Sequence, residues 1–192
     1  MIKAAVTGNI GSGKSLICKI FESMKFFVFY ADEEAKKLYD NSAIIEDIKK
    51  TFGSEIFQDG KLSHKKLAEV VFSDNVLLKQ LEAIIHPAVV VEFNNWAKQH
   101  KDVPCVIMEN AVFFEGGFDK HFDKTIVVTC PEEERIKRVM DRDGASREEV
   151  MKRMMSQWPE QKKIEKADYI IVNDGLAEII PQIIEIGKSL QK

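Results

Sequence analysis

Residues 8–15 read Gly8-Asn9-Ile10-Gly11-Ser12-Gly13-Lys14-Ser15 and match the pattern G-x-x-x-x-G-K-[ST] at every fixed position. Glycine adopts backbone angles closed to other residues, so successive N–H groups can turn inward around an anion. A helix that begins near Lys14 points its unpaired N–H groups and positive dipole end at the same place. Lys14 can then reach the β- and γ-phosphates of a nucleotide, and the Ser15 hydroxyl can bind Mg²⁺. The stretch therefore predicts an ATP-binding phosphate loop rather than a chance glycine-rich turn.

The segments on both sides of this loop agree with that interpretation. Residues 2–7 form a compact apolar run that stops at Gly8 and predict a strand. Residues 15–24 carry apolar side chains at helical spacing, which predicts a helix at the end of the loop. A phosphate loop requires this order of strand, loop and helix.

Further short apolar runs alternate with longer helical patterns along the chain. Strands are predicted at 26–30, 103–108, 125–129 and 169–172. With the first strand, they predict an α/β fold of the P-loop nucleotide-kinase type. It would have three layers, with a five-stranded parallel sheet and helices on both faces.

Two stretches depart from this alternation. Residues 31–101 are almost wholly helical in pattern, with helices predicted at 62–72, at 77–85 and from Pro87 to Trp96. We therefore expect one kinase unit, 1–192, with a core at 1–31 and 102–192 and a helical substrate-binding insertion at about 32–101. Residues 131–158 are charged and helical, with a turn at Arg142-Asp143-Gly144, and predict a helical lid.

Composition excludes several functional classes. The net charge of −3 does not suggest a nucleic-acid-binding surface. No apolar run approaches the roughly 20 residues of a membrane helix, and no secretory signal is seen, so we expect a cytoplasmic protein. The three cysteines are scattered and are expected to pack as small apolar residues. We expect a monomer or weak homo-oligomer with no nucleic-acid or membrane partner.

A phosphate loop alone does not say what is done with the nucleotide. The guanine motif N-K-x-D of GTPases is absent, and the nearest Walker-B candidate, residues 105–109, ends in Glu109 rather than Asp. Small kinases place an acid after the neighbouring strand, and Asp32 stands there. Its carboxylate could accept a proton from an attacking hydroxyl. The spacing equally allows Asp32 to be a helix N-cap.

Basic residues gather in the predicted lid. Arg135, Arg138 and Arg142 recur at i, i+3 and i+7, which places them on one helical face. Such a run is often a solvated surface, but an arginine that closes on the γ-phosphate raises the rate by about 10³-fold or more. We expect at least one of the three to do so, with Arg153 as a further candidate.

Taken together, these residues resemble the dephospho-CoA kinase family from Val6 to Gly175. Residues 7–15 are similar to its T-G-G-I-G-S-G-K-[ST] loop, and Tyr30-Ala31-Asp32 stands where the family has D-A-D. The other matches are Phe52-Gly53, Asp59-Gly60-Lys61-Leu62, Val71-Phe72 and His86-Pro87 in the insertion, Arg138, Arg142-Asp143-Gly144, Arg153 and Gln157 in the lid, and Ala167-Asp168-Tyr169-Ile170 with Asn173 near the last strand.

The resemblance implies transfer of the γ-phosphoryl group of ATP to the ribose 3′-hydroxyl of dephospho-CoA, with Mg²⁺ as cofactor. Asp32 would be the general base and touch the acceptor. Lys14 and Arg138 would stabilise the moving phosphoryl group, Arg142 would lie near the ATP and Asn173 beside the adenine. Further substrate contacts would come from His86, Phe114 and Glu115, although His86 also suits a structural position at a helix start before Pro87.

The sequence departs from the family pattern at three places. Tyr30 replaces the first aspartate of D-A-D and removes a carboxylate near the metal. Residues 111–115 read Ala-Val-Phe-Phe-Glu where the family has P-L-L-F-E, and His64 stands where an arginine is common. The alternatives are a nucleoside or nucleotide kinase with the same core and, from another class, a nucleotide-dependent switch without phosphotransfer.

Overall fold

The computed structural model describes all 192 residues. The strands are β1 (Ile2–Thr7), β2 (Phe27–Tyr30), β3 (Phe57–Gln58), β4 (Lys61–Leu62), β5 (Cys105–Glu109), β6 (Lys124–Thr129) and β7 (Tyr169–Val172). The helices are α1 (Lys14–Ser23), α2 (Ala31–Leu38), α3 (Ser42–Phe52), α4 (His64–Ser73), α5 (Asn75–Gln99), α6 (Glu132–Asp143), α7 (Arg147–Met155), α8 (Glu160–Ile164) and α9 (Ile179–Leu190), with a 3₁₀ turn at Phe118–His121.

Backbone contacts divide the chain into two compact units. Unit 1 comprises Met1–Tyr30 and Trp96–Lys192, and unit 2 comprises Ala31–Asn95. The boundary at the end of unit 2 falls inside α5.

A five-stranded parallel sheet forms the centre of unit 1, in the order β2-β5-β1-β6-β7. The predicted α/β fold is thus confirmed. β5 begins at Cys105 and runs on to Glu109, one residue beyond the predicted end. Glu109 is in register with Val6 of β1 and with Tyr30 of β2. The carboxyl ends of these three strands therefore meet where the phosphate loop begins.

Apolar side chains from α1 and α9 cover one face of this sheet. Ile17 and Phe21 of α1 and Ile183 of α9 are fully buried there. They pack with inward-facing residues of the strands, including Val6 and Val128. Because α1 is held by this core, its first turn lies in a fixed position at the end of β1.

Helices α6 and α7 form the helical pair predicted for residues 131–158. Gly144 ends α6 in the left-handed conformation (φ 65°), and its N–H donates to the Met140 oxygen at 2.9 Å. Ser146 and Glu149 then form a capping box at the start of α7. The predicted turn between the two helices is present but begins later: Arg142 and Asp143 still belong to α6, and of the three residues only Gly144 lies in the connection. Glycine fits there because other residues rarely adopt positive φ.

Helix α5, most of which lies in unit 2, was divided wrongly by the sequence analysis. We expected a new helix to begin at Pro87, but α5 runs unbroken from Asn75 to Gln99 with Pro87 inside it. A proline inside a helix costs about 3 kcal/mol because it removes one hydrogen bond and clashes with the preceding turn. The buried side chains recur every fourth residue across the proline: Leu81, Ile85, Val89, Phe93 and Ala97. This continuous apolar stripe offsets the cost of Pro87 and keeps the helix whole.

The expectation of an almost wholly helical insertion is also wrong at one place. β3 and β4 form an antiparallel hairpin, with Phe57 opposite Leu62. The two connecting residues, Asp59 and Gly60, both have positive φ, 52° and 77°. Asp-Gly is a favoured pair for such a two-residue turn, so a local signal was present.

The three cysteines pack in the interior, as predicted. Cys18, Cys105 and Cys130 are unpaired and buried, and burial raises the pKa of the Cys105 thiol to about 12. No helix in the 192 residues is long and apolar enough to cross a membrane.

Candidate active site

The phosphate loop joins the end of β1 to the first turn of α1. Gly11 and Gly13 have positive φ values of 80° and 97°, so the backbone turns sharply at both positions. No side chain caps the N-terminus of α1, which begins at Lys14. The first N–H groups of the helix are therefore left for an anion, as in phosphate sites at helix N-termini.

Asn173, just beyond β7, fixes the second half of this loop. Its Nδ2 donates to the Ser12 oxygen at 2.8 Å, and its backbone N–H donates to the Thr129 oxygen at 2.9 Å. A Cβ placed on Gly13 would collide with the Asn173 side-chain amide. Only glycine therefore fits between the loop and Asn173.

This close approach leads to a first prediction. Replacing Gly13 with Ala is expected to weaken ATP binding by at least about 10-fold, because the new methyl group displaces Asn173 and the loop amides with it. Positive φ adds backbone strain of roughly 1–3 kcal/mol. Isothermal titration calorimetry with Mg-ATP measures the first effect, and thermal unfolding followed by circular dichroism measures the second.

Gly117 offers a matched control for that substitution. It also has a positive φ, 69°, but a Cβ there would meet nothing within 4 Å. Gly117→Ala should lower the melting temperature while it leaves ATP affinity unchanged. Equal ATP affinities in the two variants would contradict the proposed packing effect of Gly13.

Lys14 and Glu109 form a buried charged pair beside the loop. The Lys14 Nζ donates to the Gly8 oxygen at 3.1 Å and lies 3.9 Å from Glu109 Oε1. Both residues are buried. Such a pair holds the ammonium group at the mouth of the loop, where a phosphate would meet it.

The sequence analysis missed Glu109. A signal is present in the sequence, because residues 105–109 are an apolar run that ends in an acid, as a Walker-B strand does. The register places Glu109 beside Tyr30, the residue that replaces the first aspartate of the family pattern. Burial, together with a hydrogen bond to Glu22, raises the pKa of the Tyr30 phenol well above its usual range. Tyr30 therefore stays neutral, and Glu109 supplies the carboxylate at this strand edge.

Two of the predicted lid arginines line a cavity of about 210 Å³ together with the loop. Its walls are Gly11, Gly13, Lys14, Ser15, Arg138, Val139 and Arg142. Arg138 Nη2 donates to the backbone oxygen of Asn173 at 3.2 Å. Arg142 pairs with Asp143, and this hydrogen bond raises the pKa of the Arg142 guanidinium. Three cationic residues, Lys14, Arg138 and Arg142, thus line one space beside the loop.

Arg135 lies apart from this cavity. It is only 4% exposed, and its Nε donates to the Cys130 oxygen at 2.9 Å and lies 3.8 Å from Glu160. Arg153 pairs with Asp143 at 2.8 Å. The three arginines therefore do not form one group: Arg135 is internal, and Arg138 and Arg142 line the cavity beside the loop.

Comparison with known proteins decides the family. The sequence model of the dephospho-CoA kinases matches residues 2–178. The chain belongs to the dephospho-CoA kinase family. It is a kinase, and ATP is the phosphate donor that this family implies.

Relatives of this kinase match nearly its whole length. A dephospho-CoA kinase from Bacteroides fragilis is 37% identical over 186 residues, which are 96% of this chain and 91% of that protein. A crystal structure from Thermus thermophilus has a TM-score of 0.86 and 34% identity, covering 100% of this chain and 98% of that one. The dephospho-CoA kinase from Campylobacter jejuni has a TM-score of 0.70 and 29% identity, covering 98% and 96%.

Two predicted substrate contacts of this kinase have internal partners. Phe114 is 5% exposed, and its ring stacks on that of Trp158 with centroids 6.0 Å apart. Glu115 Oε1 lies 2.8 Å from Lys163 Nζ and accepts from the Trp158 N–H at 2.7 Å. These contacts indicate that Phe114 and Glu115 fix the position of Trp158, which is itself bonded to the phosphate loop. A contact of either residue with substrate stays a prediction.

The remaining candidates lie in unit 2. Asp32 is exposed in the first turn of α2, which begins at Ala31, so it is not the residue that caps the helix.

His86 lies within α5 and not at a helix start, so the prediction that it begins a helix before Pro87 is wrong. It lines a largely apolar cavity of about 280 Å³ with Tyr39 and His64, whose rings meet edge to face. Burial lowers the pKa of His86, which favours the neutral imidazole.

Proposed function

We propose that this kinase transfers the γ-phosphoryl group of ATP to the ribose 3′-hydroxyl of dephospho-CoA and so makes coenzyme A. The main support for this proposal is the cavity beside the phosphate loop together with the family match. A phosphate loop, its lysine and two arginines surround one cavity, in a chain that matches the dephospho-CoA kinases over residues 2–178. The acceptor oxygen attacks the γ-phosphorus, the bond to the bridging oxygen of ADP breaks, and the hydroxyl proton passes to a base.

The loop residues bind the triphosphate in this proposal. The loop from Gly8 to Ser15 surrounds the phosphates, the amides at the start of α1 point at them, and Lys14 offsets charge on the moving group. Arg138 stabilises the same charge from the other side of the cavity, with Arg142 and Asn173 as further ATP contacts. Because little covalent chemistry is required of the protein, positioning and charge supply most of the rate.

We propose Mg²⁺ as the metal, and the oxygen donors beside the loop fit it. Mg²⁺ prefers oxygen ligands and is usually held by one or two protein oxygens, waters and the substrate phosphates. Among the 192 residues, no group of three or more His, Cys, Asp or Glu side chains could hold a metal ion. Ser15 would be a direct ligand, and Glu109 would bind a metal water in place of the carboxylate missing at Tyr30. When bound, the ion neutralises charge on the β- and γ-phosphates.

The acceptor would be held by unit 2, the helical insertion of this proposal. Its cavity of about 280 Å³ is mainly apolar, with Tyr39, His64, Glu82 and His86 as polar groups on the wall. A mainly apolar pocket with a few polar groups is typical of a site for a small molecule.

Residues 131–158 would close as a lid over the bound substrates and exclude water that could take the phosphoryl group.

An acceptor panel tests the proposed function. Dephospho-CoA, adenosine and AMP are offered separately with Mg-ATP, ADP release is followed, and the products are examined by mass spectrometry. We expect kcat/KM for dephospho-CoA to exceed that for the other acceptors by at least about 10²-fold, because only dephospho-CoA uses the full binding energy of the insertion. The product should carry one added phosphate on the ribose 3′ position, and excess EDTA should abolish the reaction.

Two outcomes would contradict this function. A preference for adenosine or AMP would favour the nucleoside or nucleotide kinase. ATP hydrolysis that no acceptor accelerates would favour the nucleotide-dependent switch.

A further inference from the structure

The side-chain amide of Gln157 joins the phosphate loop to the segment after β5. Its Oε1 accepts a hydrogen bond from the backbone N–H of Ile10 at 2.8 Å, and its Nε2 donates to the Ala111 oxygen at 3.3 Å. Gln157 follows closely after the end of α7 and is half-buried. Both ends of the amide are thus used, one as acceptor and one as donor.

The next residue, Trp158, makes a second pair of contacts in the same direction. Its backbone oxygen accepts from Asn9 Nδ2 at 3.0 Å, and its N–H donates to Glu115 Oε1 at 2.7 Å. Two consecutive residues beyond α7 therefore hold two consecutive residues of the phosphate loop.

A buried ion pair fixes the position of these contacts. Lys163 is fully buried, lies 2.8 Å from Glu115 Oε1 and donates to the Ala111 oxygen at 3.0 Å. Burial lowers the pKa of Lys163, and the neighbouring Glu115 opposes that shift. The Trp158 ring is stacked on Phe114 and covered by Lys162 Nζ at 3.6 Å from its centroid. Gln157 is therefore held beside a buried ion pair and a stacked aromatic pair.

The two halves of the phosphate loop are held in different ways. The second half, which ends at Lys14, enters α1 and is fixed there by helix hydrogen bonds and by Asn173. The first half, Asn9 and Ile10, precedes the helix. Within the loop it has one backbone bond, from Ser12 N–H to the Asn9 oxygen at 3.1 Å. The Ile10 side chain packs against the buried cluster of Ile136, Val139 and Val150. The polar contacts that reach this half from outside the loop come from Gln157 and Trp158.

We propose that Gln157 is a positioning residue for phosphoryl transfer, because it holds the Ile10 N–H and thereby the first half of the phosphate loop. The inference rests on the proposed function and deepens it. ATP affinity depends mainly on the amides at the start of α1 and on Lys14, so we expect it to change little when Gln157 is replaced. The alignment of the terminal phosphate depends on the whole loop, and a misplacement of about 1 Å can cost 10²-fold in rate.

Two substitutions separate the hydrogen bond from the packing. Gln157→Met keeps the length of the side chain and removes both hydrogen-bonding ends, and we expect kcat to fall by about 10-fold or more. Gln157→Glu keeps an acceptor for the Ile10 N–H and loses the donor to Ala111. Lys163, bonded to the same Ala111 oxygen, can offset the new charge. This variant is expected to retain kcat within about threefold of the wild-type value.

The readouts include one that does not depend on activity. Hydrogen exchange at the Ile10 amide, followed by NMR, should quicken by at least about 10-fold in Gln157→Met and stay protected in Gln157→Glu. The Ile17 amide, which donates to the Gly13 oxygen at 3.2 Å, is the internal reference and should not change. The dissociation constant for ATP, measured by calorimetry, should stay within about threefold in both variants.

A matched control is Gln161→Met, an exposed glutamine on α8, which should leave every readout unchanged. An unchanged Ile10 amide in Gln157→Met, or equal losses of kcat in the two Gln157 variants, would overturn the positioning role. Wild-type transfer to dephospho-CoA in the same assay tests the proposed function separately. ATP hydrolysis without acceptor is measured in parallel, so the effect of Gln157 can be read even if that transfer fails.

Discussion

Replacing Lys14 with Met is expected to lower kcat with dephospho-CoA by about 10³-fold, a loss of about 4 kcal/mol of transition-state stabilisation. The ammonium group donates to the Gly8 oxygen, and the buried Lys14 lines the cavity together with Arg138 and Arg142. Methionine keeps the length of the side chain and removes the charge where the phosphoryl group gains negative charge. Single-turnover transfer, measured by rapid quench, reports the loss directly.

Removal of Lys14 also breaks its ion pair with Glu109, so the effect on stability must be measured separately from the effect on catalysis. Breaking a buried ion pair by removing one partner costs about 3–5 kcal/mol. The double variant Lys14→Met with Glu109→Gln removes both charges and should recover most of the thermal stability without recovering activity. Lys19→Met, at an exposed position of the same helix, is the control and should be active. A folded Lys14→Met protein with more than about a tenth of wild-type kcat would remove Lys14 from the mechanism.

The phosphate loop and the sheet could be predicted because their signals are local. Residues 8–15 carry the whole loop motif in consecutive positions, and β1 and β7 are compact apolar runs whose observed bounds equal the predicted ones. Gly144 likewise marks its turn through a single residue. Where a short segment decides its own backbone conformation, the sequence is sufficient.

The features that were missed depend on contacts between distant segments. Glu109 gains its place beside Lys14 only through the register of β5 with β1 and β2. Pro87 signals a helix start by itself, but the apolar stripe on both sides of it keeps α5 continuous. Gln157 reaches Ile10 across 147 positions of the chain, so no local pattern shows the bond. The exception is Asp59-Gly60, whose turn signal is local and was overlooked in a helical context.

The second large effect is expected at Asp32. Asp32→Asn should lower kcat by at least about 10²-fold while ATP affinity stays near the wild-type value, because the amide cannot accept the hydroxyl proton. Stability should change little, since Asp32 is exposed and an acidic residue in the first turn of a helix contributes about 0.3–1 kcal/mol. Single-turnover transfer to dephospho-CoA and calorimetry with Mg-ATP measure the two quantities.

Glu33→Gln provides the matched control, because Glu33 is the next residue in the same turn of α2 and is also exposed. Both substitutions remove one negative charge from the helix start, so any effect of the helix dipole is common to them. A loss confined to Asp32→Asn must therefore come from the position of that carboxylate and not from its charge at the helix end. Equal and small losses in the two variants would contradict the general-base role, and the proton would then have to leave through the phosphate oxygens or water.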